Sequence, residues 1–200
     1  MKYSKALLVV FSLLTWILAC SPKHNPPIAS NFTKQDSIMQ QYLDYQDSLV
    51  FAWNTILHDD NIKIQNLNYI LHELAVGKQL NNMVEESYKQ RLTQLLNIRF
   101  TEKTFSNKDV VYEFDVAEEK LIQEISELAV QSKFYEQNRM LQNLTLQIEK
   151  ANKLKPELRS AYNALAWQYN QFISSNKDLI LKADPTANLE LKSLFEIDNR

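Results

Sequence analysis

Between Phe134 and Ile173, apolar side chains recur at Leu141, Leu144, Ile148, Ala151, Leu154, Leu158, Tyr162, Leu165, Tyr169 and Phe172. Every step is three or four residues, which places them on one face of an α-helix. Such a helix is roughly 60 Å long at 1.5 Å per residue. It cannot bury that stripe alone, so the rest of the chain must supply partner helices. The chain of 200 residues has one glycine, Gly77, and five prolines, which leaves little of the turn chemistry that β-hairpins need. The expectation is an all-α fold: an elongated, antiparallel four-helix-type bundle with long helices. A hydrophobic content of 45% is enough for one core.

The first 19 residues read as a targeting segment. Lys2 and Lys5 precede an apolar run, Ala6 to Ala19, interrupted only by Ser12 and Thr15. That run is shorter than the roughly 20 residues a bilayer-spanning helix needs. It ends Ile17-Leu18-Ala19-Cys20, which resembles a bacterial lipobox. The resemblance implies cleavage after Ala19, a diacylglyceryl thioether on Cys20 and an acyl chain such as palmitate on the new amine. Cys20 is the one cysteine in the chain, and lipidation accounts for an unpaired cysteine in an exported protein. The alternative is an uncleaved signal anchor with Cys20 incidental. Both readings put the rest of the chain outside the cytoplasm on a membrane, and two or more acyl chains anchor stably. Residues 20–32, with Pro22, Pro26 and Pro27, read as a tether.

The body spans residues 33–175. A first helix is expected from Thr33 to His58, with Thr33-Lys34-Gln35-Asp36 as a capping box. Its stripe is Ile38, Tyr42, Tyr45, Leu49, Trp53 and Ile56. Asp59-Asp60-Asn61 then reads as an interruption, because short polar side chains favour local backbone bonds over helix. A second helix runs to Val76 on Ile64, Leu67, Leu71 and Leu74, with Gly77 as a positive-φ cap. A third covers Gln79 to Phe100 on Leu80, Met83, Val84, Leu92 and Leu95. Thr101 to Asn107 reads as a loop, with Ser106-Asn107-Lys108-Asp109 as a cap. A fourth helix covers Val110 to Ser132 on Val111, Phe114, Ala117, Leu121, Ile125 and Leu128. The long helix follows, with a kink expected near Asn152–Lys155 from Pro156. The pattern fades from Ser174 to Pro185, and residues 176–200 read as a short last helix or a strap. Trp53, Leu67, Leu121, Leu144, Leu165 and Tyr169 are the expected core.

Site chemistry is sparse. His24, His58 and His72 are too scattered for a zinc cluster, and no second cysteine exists. No Glu-x-x-His pair is present for a di-iron site, and one glycine allows neither a phosphate loop nor a Gly-x-Ser-x-Gly elbow. Glu85, Glu86, Glu113, Glu118 and Glu119 fall on faces that read as solvated. The expectation is no catalytic residue, no metal, no cofactor, and lipidation at Cys20. With 22 basic and 24 acidic residues, loss of Lys2 and Lys5 leaves a net charge of about −4. That gives no footprint for nucleic acid. Tyr162-Asn163 and Tyr169-Asn170 repeat at a seven-residue spacing on one face. The plainer reading is core packing with tyrosine hydroxyls seeking partners. The sharper reading is a polar ladder that sets a neighbour's register.

Those two pairs, followed by Phe172 and Ile173, resemble the Tyr-Asn…Tyr-Asn-x-x-Ile signature of the LemA family. Phe134, Leu141-Gln142 and Leu144 resemble its Phe-Leu-x-Leu-Gln-x-x-Leu. Ala52-Trp53 resembles its early Ala-Trp pair, and Ile64-Gln65-Asn66-Leu67 its Ile-Pro-Asn-Leu, with Gln65 where that family has proline. Leu71, Leu74 and Ala75 continue in step. The resemblance covers about residues 48–175 and implies an elongated helical bundle held at a membrane. It implies no established activity, so no catalytic residue is carried over. The functional expectation is a lipid-anchored, non-enzymatic scaffold or interaction module of the cell envelope that binds another envelope protein. The alternative is a small-ligand or lipid carrier using a pocket between helices.

Overall fold

The computed structural model describes residues 33–196, so Cys20, the apolar run and the proline-rich tether lie outside the described residues. The described chain is all-helical apart from its connections: α1 Lys34–Val76, α2 Asn82–Ile98, α3 Lys108–Gln131, a 3-10 turn Tyr135–Gln137, and α4 Arg139–Ala183. α1 and α4, with 43 and 45 residues, are each roughly 65 Å long. They form the largest helix pairing in the molecule. Contacts Tyr42–Tyr169, Trp53–Tyr162, Asn66–Gln147 and Glu73–Asn138 run in opposite chain directions, so the pair is antiparallel. The shorter α2 and α3 cover it beyond Trp53. Leu67, Ile70, Leu71, Leu92, Phe114, Ile125, Leu141 and Ile148 are buried there.

The expected break at Asp59-Asp60-Asn61 does not exist. α1 is one helix from Lys34 to Val76. Short polar residues in a helix interior cost at most about 0.7 kcal/mol each. Each leucine or isoleucine that stays in register on the far side gains about 1.5–3 kcal/mol on burial. Ile56, Ile64, Leu67 and Leu71 are all buried, so packing decides. Lys63, one turn on, reaches Asp59 at 3.3 Å and Asp60 at 3.0 Å, and holds both carboxylates in an ion pair rather than in local backbone bonds.

Other boundaries move for similar reasons. α4 begins at Arg139, where the Asn138 side chain caps it by accepting from the amides of Met140 and Leu141. It passes through Pro156 unbroken and continues to Ala183, burying Ile180 where the pattern fades. α2 starts later than expected, at Asn82, with Asn81 accepting from the Val84 amide. Met83 and Val84 sit in that exposed first turn rather than inward, and Leu154 is also exposed. Leu165 is partly buried, and the adjacent Ala166 takes the fully buried position. Asn107 caps α3 by accepting from the Asp109 amide.

Gly77 does not supply positive φ; Lys78 does, at 55°. The Lys78 and Gln79 amides donate to Ala75 and Leu74 carbonyls, which is a Schellman cap with Lys78 in the left-handed position. Gly77 is required for space instead. A Cβ there would sit inside van der Waals contact of the Phe134 ring, which folds over the end of α1.

Candidate functional site: a buried ion chain and a strap across the bundle end

Beyond α4 the chain reverses. The Asp184 amide donates to the Ile180 carbonyl. The Asp184 side chain accepts from the Thr186 amide and hydroxyl at 2.8 and 2.6 Å. Residues 187–196 then run without helix back along the groove between α1 and α4. Two asparagines one heptad apart hold this strap. Asn170 donates to the Lys192 carbonyl and accepts from the Lys192 amide, both at 2.8 Å. Asn163 does the same to Phe195, again at 2.8 Å each way. The Tyr42 and Tyr169 hydroxyls both donate to the Asn188 carbonyl, at 2.8 and 3.2 Å.

The repeated Tyr-Asn pair divides between the two readings. The tyrosine rings pack in the core, although the Tyr162 hydroxyl finds no hydrogen-bond partner among the described residues, and the asparagines bind the strap rather than the tyrosines. Tyr162 and Tyr169 are buried core, and burial pushes the phenol of each up to about 12. Asn163 and Asn170 are the ladder, and its partner is main chain. The Phe195 ring closes an aromatic cluster with Trp53, Phe100, Phe105 and Tyr162, with centroids 4.6–6.1 Å apart. Arg159 stacks on it from α4, 5.1 Å from the ring centre and 5.3 Å from that of Phe100.

Arg159 also ends a chain of buried charge. Its guanidinium grips Asp115 with two bonds of 2.6 and 2.8 Å. Lys155 bridges Asp115 at 3.3 Å and Glu118 at 2.6 Å. Lys63 reaches the two Glu118 oxygens at 3.0 and 3.2 Å, and Asp60 at 3.0 Å. Glu118, expected in solvent, is completely buried, as is Lys63. Burial pushes Asp60 up to about 6, with the Glu118 charge adding to the rise and Lys63 and Lys155 opposing it. Burial also acts against the Lys63 charge, but Glu118 and Asp60 outweigh it and hold the ammonium above its usual value. Burial alone would raise Asp115; the Arg159 hydrogen bonds and the Lys155 and Arg159 charges outweigh that and hold it low. Four carboxylates, counting Asp59, face three cations. Below about pH 6 a proton on Asp60, whose Oδ2 has no hydrogen-bond partner among the described residues, removes the excess.

A cleft of about 610 Å³ opens beside this chain, lined by Phe105, Lys108, Tyr112, Lys155, Pro156, Arg159 and Glu196 among others. Its two innermost cations are already committed to carboxylates. His58 and His72 lie exposed on α1. Among the described residues, no group of three or more His, Cys, Asp or Glu could hold a metal ion, and no helix is long and apolar enough to cross a membrane. Sequence reasoning missed the links from Lys63 to Glu118 and from Asp115 to Lys155 and Arg159 because those partners lie 40 or more residues apart on different helices. The heptad repeat of Tyr-Asn marks one helix face in the sequence but does not reveal the strap that this face holds. Comparisons with protein-family profiles, curated proteins and solved structures find nothing that matches this chain.

Proposed function

We propose that this chain is a membrane-anchored, LemA-like lipoprotein of the cell envelope that works without catalysis, as a scaffold or interaction module for another envelope protein. The observation that carries the reading is the strap groove. One end of the bundle grips an extended segment through main-chain bonds from Asn163 and Asn170, which is chemistry suited to polypeptide rather than to a reacting small molecule. The lipobox-like Ile17-Leu18-Ala19-Cys20 supports the anchor, with acyl chains on Cys20 holding the body at the membrane.

The test is crosslinking in intact envelopes with the wild type and Cys20→Ala. The wild type is expected to carry a lipid label and to capture one reproducible envelope protein, and Cys20→Ala is expected to lose both. Cys20→Ala that stays membrane-bound and unlabelled replaces lipidation with an uncleaved anchor. Absence of any captured protein in either form sinks the interaction reading. A second reading, a small-ligand or lipid carrier, is favoured by the cleft beside Arg159. Native mass spectrometry of the purified chain separates the two: a co-purifying small molecule or lipid, lost on Tyr112→Ala, is the carrier's signature.

A further inference from the structure

Residues 187–196 are held chiefly through their main chain. Six hydrogen bonds from four groove side chains go to the amides or carbonyls of Asn188, Lys192 and Phe195. None depends on which side chain the strap residue carries. Among the strap side chains only Phe195 is fully buried; Ala187 and Leu189 pack partly buried against the core, while Leu191 and Leu194 face solvent. A further side-chain tie, an ion pair from Lys192 to Glu102, is at the surface. A groove that reads main chain at three positions, one aromatic ring and small apolar contacts at Ala187 and Leu189 accepts an extended segment that presents the ring in register behind an apolar residue. The strap enters it from a three-residue reversal, Asp184-Pro185-Thr186, closed by side-chain bonds within the turn.

We infer that this groove is an exchange site for an extended segment of a partner protein that carries an aromatic side chain three residues beyond the one paired with Asn170, and that the strap is the occupant which the partner displaces. The inference rests on the interaction-module reading and names the kind of partner. A tethered strap competes at an effective concentration of the order of millimolar, so the groove stays closed to weak or mismatched segments. A partner wins by filling the Phe195 pocket and covering the surface that Leu191 and Leu194 leave open.

The experiment uses the full chain and a fluorescent peptide of residues 187–196. Phe195→Ala empties the pocket from within. That chain is expected to bind the peptide about tenfold or more tightly than wild type does, because the competing strap has lost its anchor. A peptide with alanine in place of its phenylalanine should bind about tenfold to a hundredfold more weakly. Adding Asn163→Ala and Asn170→Ala to the chain should abolish binding. Equal binding by wild type and Phe195→Ala, or indifference to the peptide's phenylalanine, overturns the inference. Where Phe195→Ala does not fold, the wild type gives the answer by hydrogen exchange. Excess peptide should strip protection from the chain's own Lys192 and Phe195 amides, and protection unchanged at about millimolar peptide overturns the proposal. Peptide exchange by a chain that captures no envelope protein sinks the envelope reading and leaves the groove. Capture that persists in the Asn163→Ala, Asn170→Ala chain does the reverse.

Discussion

Around Lys63 the α1–α4 pair is covered by two further helices, whereas between Tyr42 and Trp53 it is covered by an extended strap. The helix-covered region is sealed by leucine, isoleucine and phenylalanine, and its buried polar groups pair side chain to side chain, mostly charge with charge and once amide with amide at Asn66 and Gln147. The strap-covered region is sealed by aromatic rings, and its polar groups are asparagine and tyrosine paired with main chain. The difference follows from what each cover brings. A helix satisfies its own backbone and needs only apolar or charged partners. An extended segment brings unpaired amides and carbonyls, each costly to bury, so the groove must supply donors and acceptors. The first region closes on side chains alone; the second closes on the main chain of the segment it holds.

The largest expected effect lies in the first region. Lys63→Ala leaves Glu118 and Asp60 buried with their central cation gone, and should destabilise by about 3–5 kcal/mol in urea unfolding. A loss below about 1 kcal/mol would mean the ion chain is solvated and the contrast between the regions is false. Phe195→Ala should follow at about 3 kcal/mol. Its signature should differ: strap amides lose protection while those of Leu71 and Ile125 keep theirs. Uniform loss of protection would merge the two regions into one cooperative unit.

Asp60→Asn sharpens the comparison through pH. The folded-state pKa of about 6 lies above the ordinary 3.8, so the folded chain binds this proton more tightly than the unfolded chain. Stability from this group is therefore present in full below about pH 4 and lost as pH rises through about 6. Asp115, held low, loses stability only below the ordinary value. The variant should remove the fall across that window, gaining about 1–3 kcal/mol relative to wild type at about pH 7.5 compared with about pH 4.5. Parallel pH profiles for the two proteins would reject a raised Asp60. Smaller still, Asn163→Ala and Asn170→Ala should each cost about 1–2 kcal/mol in strap opening measured by hydrogen exchange, with little change in global unfolding.

How much of this was legible depended on whether an interaction left a periodic trace. The stripe of α4 and those of α1 and α3 repeat at helical spacing, and they yielded the helices, most of the core and the bundle. The false break at Asp59-Asp60-Asn61 and the misplaced Glu118 share one cause. Local composition reports the intrinsic cost of a polar residue and not what offsets it. For the aspartates that is the apolar packing on either side and Lys63 one turn on, and for Glu118 it is a lysine 55 residues away on another helix. Gly77 shows a subtler case: its lone glycine suggested φ freedom, but Phe134 requires its missing side chain. Asn163 and Asn170 were visible as a heptad repeat. Their partner was not, because they bind backbone, which every sequence carries equally.

The most direct measurement is residue-resolved hydrogen exchange across 187–196 in the wild type and in the Asn163→Ala, Asn170→Ala double variant. The wild type should protect the Lys192 and Phe195 amides while Leu191 and Leu194, which make no hydrogen bond among the described residues, exchange freely. The double variant should lose that protection with the helix-covered region unchanged. Strap amides that exchange uniformly and at unstructured rates in the wild type would contradict a groove built to read extended main chain.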